Sequence, residues 1–139
     1  MLLRQAIKEK KMSFKPIIPK GSAPPLAPYS HGAKAGNVLY VSGMLSLDSQ
    51  GHIVGIGDVK AQTRNILESI KLVVTEAGGS MSDIAFNQIF LKSLDDYAAV
   101  NEIYKEYFPQ PSPARYCIQA NLVKPEFLIE IASTAHIGN

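Results

Sequence analysis

The sequence predicts an α+β domain, one sheet carrying two helices on a single face, in the order β-β-α-β-α-β-β. Three observations carry that reading. Strand-like and helical apolar periods alternate along the chain, each helical stretch is bounded by its own start and stop residues, and 139 residues at 46% hydrophobic suffice for one core. Neither repeats nor low-complexity segments interrupt the pattern.

The elements follow in order. Residues 1–14 read as an N-terminal extension or arm, with Met12 as an alternative start, and residues 15–139 as one domain. Lys15 to Pro19 is a short strand. Gly21 to Pro28 is a loop, because its three prolines remove backbone donors and fix φ. Val38 to Gly43 forms a strand after the Gly36-Asn37 turn signal. Asp58 caps a helix that runs to Ala77, with Leu67, Ile70, Val74 and Ala77 on one stripe and Gly78-Gly79 as its stop. Ile84 to Lys92 is a strand. Ser93 and Asp96 suggest a capping box for a second helix, which Pro109 and Pro111 end near Phe108. Arg115 to Val123 and Phe127 to His136 read as strands of a hairpin around Lys124-Pro125. Pairing Val123 with Glu126 would set Gln119 opposite Glu130 and Arg115 opposite Thr134, so that Arg115 and Glu130 share a face about 13 Å apart.

Charge and composition exclude several classes. The net charge is +2, but Arg4, Lys8, Lys10 and Lys11 against Glu9 place +3 in the first eleven residues and leave −1 for the rest. A body of that sign lacks the basic footprint of a nucleic-acid binder. No apolar run approaches a membrane span, and Met1-Leu2-Leu3 is too short for a signal-peptide core, so the cytoplasm is expected. One cysteine and three scattered histidines offer no metal-ligand spacing, so no metal is expected.

Two residues carry the chemistry. Arg115, in Pro113-Ala114-Arg115-Tyr116-Cys117, is a permanent cation whose planar fork suits a carboxylate in a two-point contact. Glu130 is a lone charge in the apolar run Phe127-Leu128-Ile129-Glu130-Ile131-Ala132, a costly placement unless the carboxylate is used. Burial would raise its pKa and a nearby Arg115 would lower it, which leaves the sign open. By residue type alone, a surface or structural salt bridge with an acid such as Glu102 or Glu106 is the favoured reading of Arg115, and an edge-strand charge is a common use of a residue such as Glu130. Cys117, without a partner base, suits a lining role rather than nucleophilic attack.

Taken in order and spacing, Ala27-Pro28-Tyr29, Tyr40-Val41-Ser42-Gly43, Val100-Asn101, Pro113 to Cys117 and Ile129-Glu130-Ile131 resemble the Rid (reactive intermediate deaminase, YjgF-type) family across Lys15 to Ile137. Within it, Phe86-Asn87, Tyr116 to Gln119, Leu122 to Pro125 and Ala135-His136-Ile137 resemble the aminoacrylate deaminases of bacterial pyrimidine utilisation. The resemblance implies a chorismate-mutase-like fold with one mixed sheet, assembled as a homotrimer with sites between subunits. It implies that Arg115 binds the substrate carboxylate, that Glu130 activates water, and that Tyr29, Ser42, Gly43, Asn101 and Cys117 line the pocket. Met44 and Ala132 stand where the broad family commonly has glutamine and glutamate, departures that bear on substrate choice.

The implied reaction needs no cofactor. An enamine acid tautomerises to an imine, water adds to carbon, and the carbinolamine collapses with loss of ammonia. 3-Aminoacrylate would give malonic semialdehyde, and 2-aminoacrylate would give pyruvate. Two other readings stand beside it: a non-catalytic regulator that binds small carboxylates, and a ribonuclease or translation inhibitor.

Overall fold

The computed structural model describes residues 12–138. The extension expected at residues 1–14 therefore lies largely outside the described residues. Six strands, β1 (Lys15–Ile17), β2 (Gly32–Ala35), β3 (Val38–Met44), β4 (Ile84–Leu91), β5 (Ala114–Gln119) and β6 (Ile129–His136), form one mixed sheet. Helices α1 (Val59–Glu76) and α2 (Tyr97–Tyr107) cover one face of it.

α1 begins and ends where the sequence predicts. Asp58 accepts a hydrogen bond from the Ala61 N–H at 3.0 Å, and Gly78 takes the left-handed conformation at φ 92°. Its buried stripe of Ile66, Leu67, Ile70, Val73 and Val74 packs against Leu39, Val41, Ile129 and Ile131 of the sheet. α2 starts differently from the expected capping box. The Ser93 hydroxyl accepts from the Asp95 N–H, a single 3₁₀ turn spans Leu94–Asp96, and the α-helix proper begins at Tyr97. A tighter first turn satisfies the early donors without the reciprocal carboxylate bond.

Two expectations fail. β2 was not predicted, because Gly-Ala-Lys-Ala carries none of the β-branched or aromatic residues that mark a strand. It is recruited by its neighbour: Ala35 pairs with Val38 around Gly36-Asn37, and Gly36 at φ 58° supplies the positive φ that so short a hairpin demands. The observed order is thus β-β-β-α-β-α-β-β.

The C-terminal hairpin does not exist. The sheet order is β1-β2-β3-β6-β4-β5, so β4 separates the last two strands. β5 returns through α2 to lie parallel to β4, whereas β6 inserts antiparallel to both β3 and β4. Burial decides the arrangement. β6 presents Ile129, Ile131 and Ala135, all fully buried, and belongs at the centre, while Ala114, Tyr116 and Ile118 of β5 are exposed and suit an edge. The connecting segment is fixed by Gln62 of α1, which donates to the Glu126 carbonyl at 3.0 Å and accepts from the Leu128 N–H at 2.9 Å.

Candidate functional site

Strand register settles which residues can meet. Asn87 of β4 pairs with Arg115 on one side and Ser133 on the other, and Phe90 pairs with Ile118 and with Glu130. Three rows separate the row of Arg115 from that of Glu130. An odd offset in a sheet of period two places their side chains on opposite faces. The expected register, with both on one face, is overturned. With two strand spacings and three residue rises between them, their Cα atoms are roughly 14 Å apart in the plane of the sheet.

On the helix-bearing face, β5 and α2 build a seat for the guanidinium. Arg115 Nη2 donates to Asn101 Oδ1 at 2.7 Å and to the Tyr97 hydroxyl at 3.1 Å. The guanidinium carbon lies 4.7 Å from the centre of the Tyr104 ring and 5.6 Å from that of Tyr97. Tyr97, Asn101 and Tyr104 are four and three residues apart and therefore share one helix face. Among the described residues no carboxylate pairs with Arg115. Glu102 and Glu106, its possible salt-bridge partners, are engaged by Lys60 at 2.6 Å and Arg64 at 2.9 Å. Both hydrogen bonds from the guanidinium, to Asn101 and Tyr97, leave from Nη2. A cation oriented by neutral groups, with donors to spare, is suited to a carboxylate from outside the chain. Cys117, two residues along on the same face, is half-buried; burial pushes its thiol pKa up against the opposing pull of the Arg115 cation. That direction suits a lining thiol rather than a nucleophile.

Glu130 stands on the other face, beside the end of β3. The β3–β6 register shifts between Val41 and Met44, so Ser42 and Gly43 lie in an irregular, bulged segment. Glu130 fits against Gly43: a Cβ there would lie 2.9 Å from Glu130 Cδ and 3.3 Å from Cγ. Burial pushes the Glu130 carboxyl above the usual carboxylate range. Within one chain, Arg115 lies on the far face and contributes no opposing pull.

Ser42 and Tyr29 sit near this second group. The Ser42 hydroxyl donates to the Ser30 carbonyl at 2.6 Å, and its N–H donates to the His31 carbonyl at 2.9 Å, so the side chain serves the local backbone. The Tyr29 hydroxyl accepts from the Leu26 N–H at 3.3 Å. Its ring lines a cavity of about 210 Å³ with His31, Gly43, Met44, Leu45 and Leu72. Arg115, Asn101, Cys117 and Glu130 do not line that cavity. The expected site residues thus fall into two groups, Arg115–Asn101–Cys117 and Tyr29–Ser42–Gly43–Glu130. Tyr97, Tyr104 and buried His31 were not anticipated; the four-and-three spacing around Asn101 was the available signal for the two tyrosines. Among the described residues, no group of three His, Cys, Asp or Glu could hold a metal. No helix there is long and apolar enough to cross a membrane.

Known proteins share this arrangement of chain. The family model described as Endoribonuclease L-PSP matches residues 20–137. The chain is 55% identical over 121 residues to the 3-aminoacrylate deaminase RutC of Acinetobacter baylyi, spanning 87% of this chain and 96% of that protein. RidA from the Antarctic bacterium Psychrobacter sp. PAMC 21119 matches with a TM-score of 0.82 at 30% identity, over 88% of this chain and 99% of that one. E. coli TdcF with bound serine matches with a TM-score of 0.81 at 30% identity, over 89% and 99%. The six-stranded mixed sheet with its two helices is the chorismate-mutase-like fold of these relatives. On that coverage and identity, the chain belongs to the Rid, or YjgF-type, family.

Proposed function

We propose that this protein is an enamine/imine deaminase that hydrolyses an aminoacrylate, with 3-aminoacrylate as the substrate and malonic semialdehyde and ammonia as products. The observation that carries the reading is the Arg115 guanidinium, held by Asn101 and Tyr97 and left without a carboxylate among the described residues. The 55% identity to a 3-aminoacrylate deaminase supports the substrate. A place in pyrimidine degradation, in the cytoplasm, is part of the same proposal.

In this reading Arg115 fixes the substrate carboxylate and so the position of the imine carbon. Glu130 takes a proton from the attacking water and returns one to the departing nitrogen. Burial raises its pKa, so the ionised carboxylate is a stronger base, and better able to take a proton from water, than an ordinary exposed one. Tyr29, Gly43 and Cys117 line the pocket, and Asn101 orients the arginine. Because Arg115 and Glu130 occupy opposite faces of one sheet, the reading requires Arg115 of one chain and Glu130 of another. A closed ring of three copies with three equal sites meets that requirement.

The test is ammonia release from freshly generated 3-aminoacrylate, followed above its spontaneous hydrolysis and compared with 2-aminoacrylate. Acceleration that depends on both Arg115 and Glu130 supports the deaminase. Binding of small carboxylates without acceleration would replace it with a carboxylate-binding regulator. Cleavage of single-stranded RNA at low enzyme concentration, unaffected by Arg115→Lys, would favour a ribonuclease, despite the −1 charge of residues 12–139.

A further inference from the structure

The helix-facing row of β4 is apolar except at one position. Ile89 and Leu91 are fully buried, and so is Asn87. An amide in that row costs stability unless both of its ends are bonded, and a leucine would fill the same space more cheaply. Here both ends are bonded. Ser133 of β6 donates to Asn87 Oδ1 at 2.6 Å, and Asn87 Nδ2 donates to the Tyr104 hydroxyl at 2.9 Å. Ser133, Asn87 and Arg115 lie side by side across three strands, and the Tyr104 ring supports the guanidinium at 4.7 Å. A buried chain therefore runs from β6 through β4 to the ring on which Arg115 rests.

We infer that Tyr104 and Asn87 are positioning residues for Arg115: the hydroxyl anchor fixes the plane of the ring, and the ring fixes the plane of the guanidinium presented to the substrate carboxylate. The inference rests on the reading of Arg115 as the carboxylate-binding residue. Both residues are buried, Asn87 at 0% and Tyr104 at 6% exposure, and so act through the arginine. A two-point contact depends on the plane of the fork, so a tilted guanidinium keeps its charge and loses one of its two bonds. Burial pushes the Tyr104 hydroxyl above its usual pKa and keeps it protonated at neutral pH.

The experiment compares Tyr104→Phe, Tyr104→Leu and Asn87→Thr with the parent protein and with Arg115→Lys, measuring KM and kcat for 3-aminoacrylate beside a thermal melt. Tyr104→Phe keeps the ring and loses its anchor; Tyr104→Leu loses both. KM is expected to rise by about 3- to 30-fold in Tyr104→Leu, the range of a lost cation–π contact, and by less in Tyr104→Phe and Asn87→Thr, with kcat within about twofold throughout. A purely structural role would lower the melting temperature and leave KM of the folded variants unchanged, which would overturn the inference. If Tyr104→Leu does not fold, Tyr104→Phe and Asn87→Thr decide by the same split. An increase in KM for Arg115→Lys without one for the Tyr104 and Asn87 variants overturns the positioning role alone. An unchanged KM for Arg115→Lys overturns the carboxylate reading and the positioning role with it.

Discussion

Replacing Arg115 by lysine keeps the charge and removes the geometry. Lysine cannot form the parallel pair of bonds that a guanidinium offers a carboxylate, and its compact ammonium would give up the stacking on Tyr104 at 4.7 Å. Of the two contacts from Nη2, the 2.7 Å bond to Asn101 is part-buried and the 3.1 Å bond to Tyr97 is exposed, so their loss should cost the fold only about 1 kcal/mol. The catalytic cost is larger. Losing one of two charge-assisted bonds to substrate is worth about 2–3 kcal/mol, or about 30- to 150-fold in kcat/KM. The assay is ammonia release from 3-aminoacrylate at several concentrations, with a melt on the same sample. Arg115→Lys should retain its fold and lose more activity than Cys117→Ala, since the proposed role of that thiol is only to line the pocket. Near-native kcat/KM in a folded Arg115→Lys protein would show that the arginine is structural, and the substrate-clamp argument would be refuted.

Glu130→Gln preserves size, and should keep carboxylate binding while slowing ammonia release by about 10²- to 10⁴-fold, which single-turnover kinetics would measure. Because the Glu130 pKa is raised, the folded protein binds this proton more tightly than the unfolded chain; stability from this group is present at acid pH and is lost as pH rises through its folded value. Glu130→Gln should therefore flatten the decline in melting temperature just above the usual carboxylate range, and remove the acid limb of the rate profile. Gly43→Ala should displace the Glu130 carboxyl, since the new Cβ meets Cδ at 2.9 Å, lowering kcat at least tenfold with a fold loss of about 1–3 kcal/mol; intact activity would show that Glu130 can move aside. Light scattering should report three chains, and an active monomer would end the shared-site reading.

What the sequence reveals here is local. Asp58, the apolar stripe of α1 and Gly78 act within a turn or two of one another, and each behaves as its residue type requires. β2 has almost no preference of its own and exists because β3 folds back on it. The strand partners of β5 and β6 are decided by which apolar row must lie at the centre, a competition among distant segments that no window on the sequence contains. The same distinction governs the site. Arg115 and Glu130 are visible as residues out of place, a planar cation and a carboxylate set in strand-like runs. Their opposite faces depend on register across three strands, so the expected pairing failed while the residues themselves remained the strongest candidates.

The placement of β6 also shapes how the protein can be made. Its last described strand in sequence is one of the two at the centre of the sheet, and it joins β3 to β4. Until that segment leaves the ribosome, β1–β3 and β4–β5 have no shared partner, and each displays an unpaired edge. Synthesis from the N-terminus thus gives two separate strand groups, joined into one sheet only when residues 129–136 arrive, and their unpaired edges are open to association with other chains meanwhile. A few residues trimmed from the end of most domains remove a frayed tip; loss of β6 here would remove Ile129, Ile131 and Ala135 from the centre of the core and divide the sheet in two.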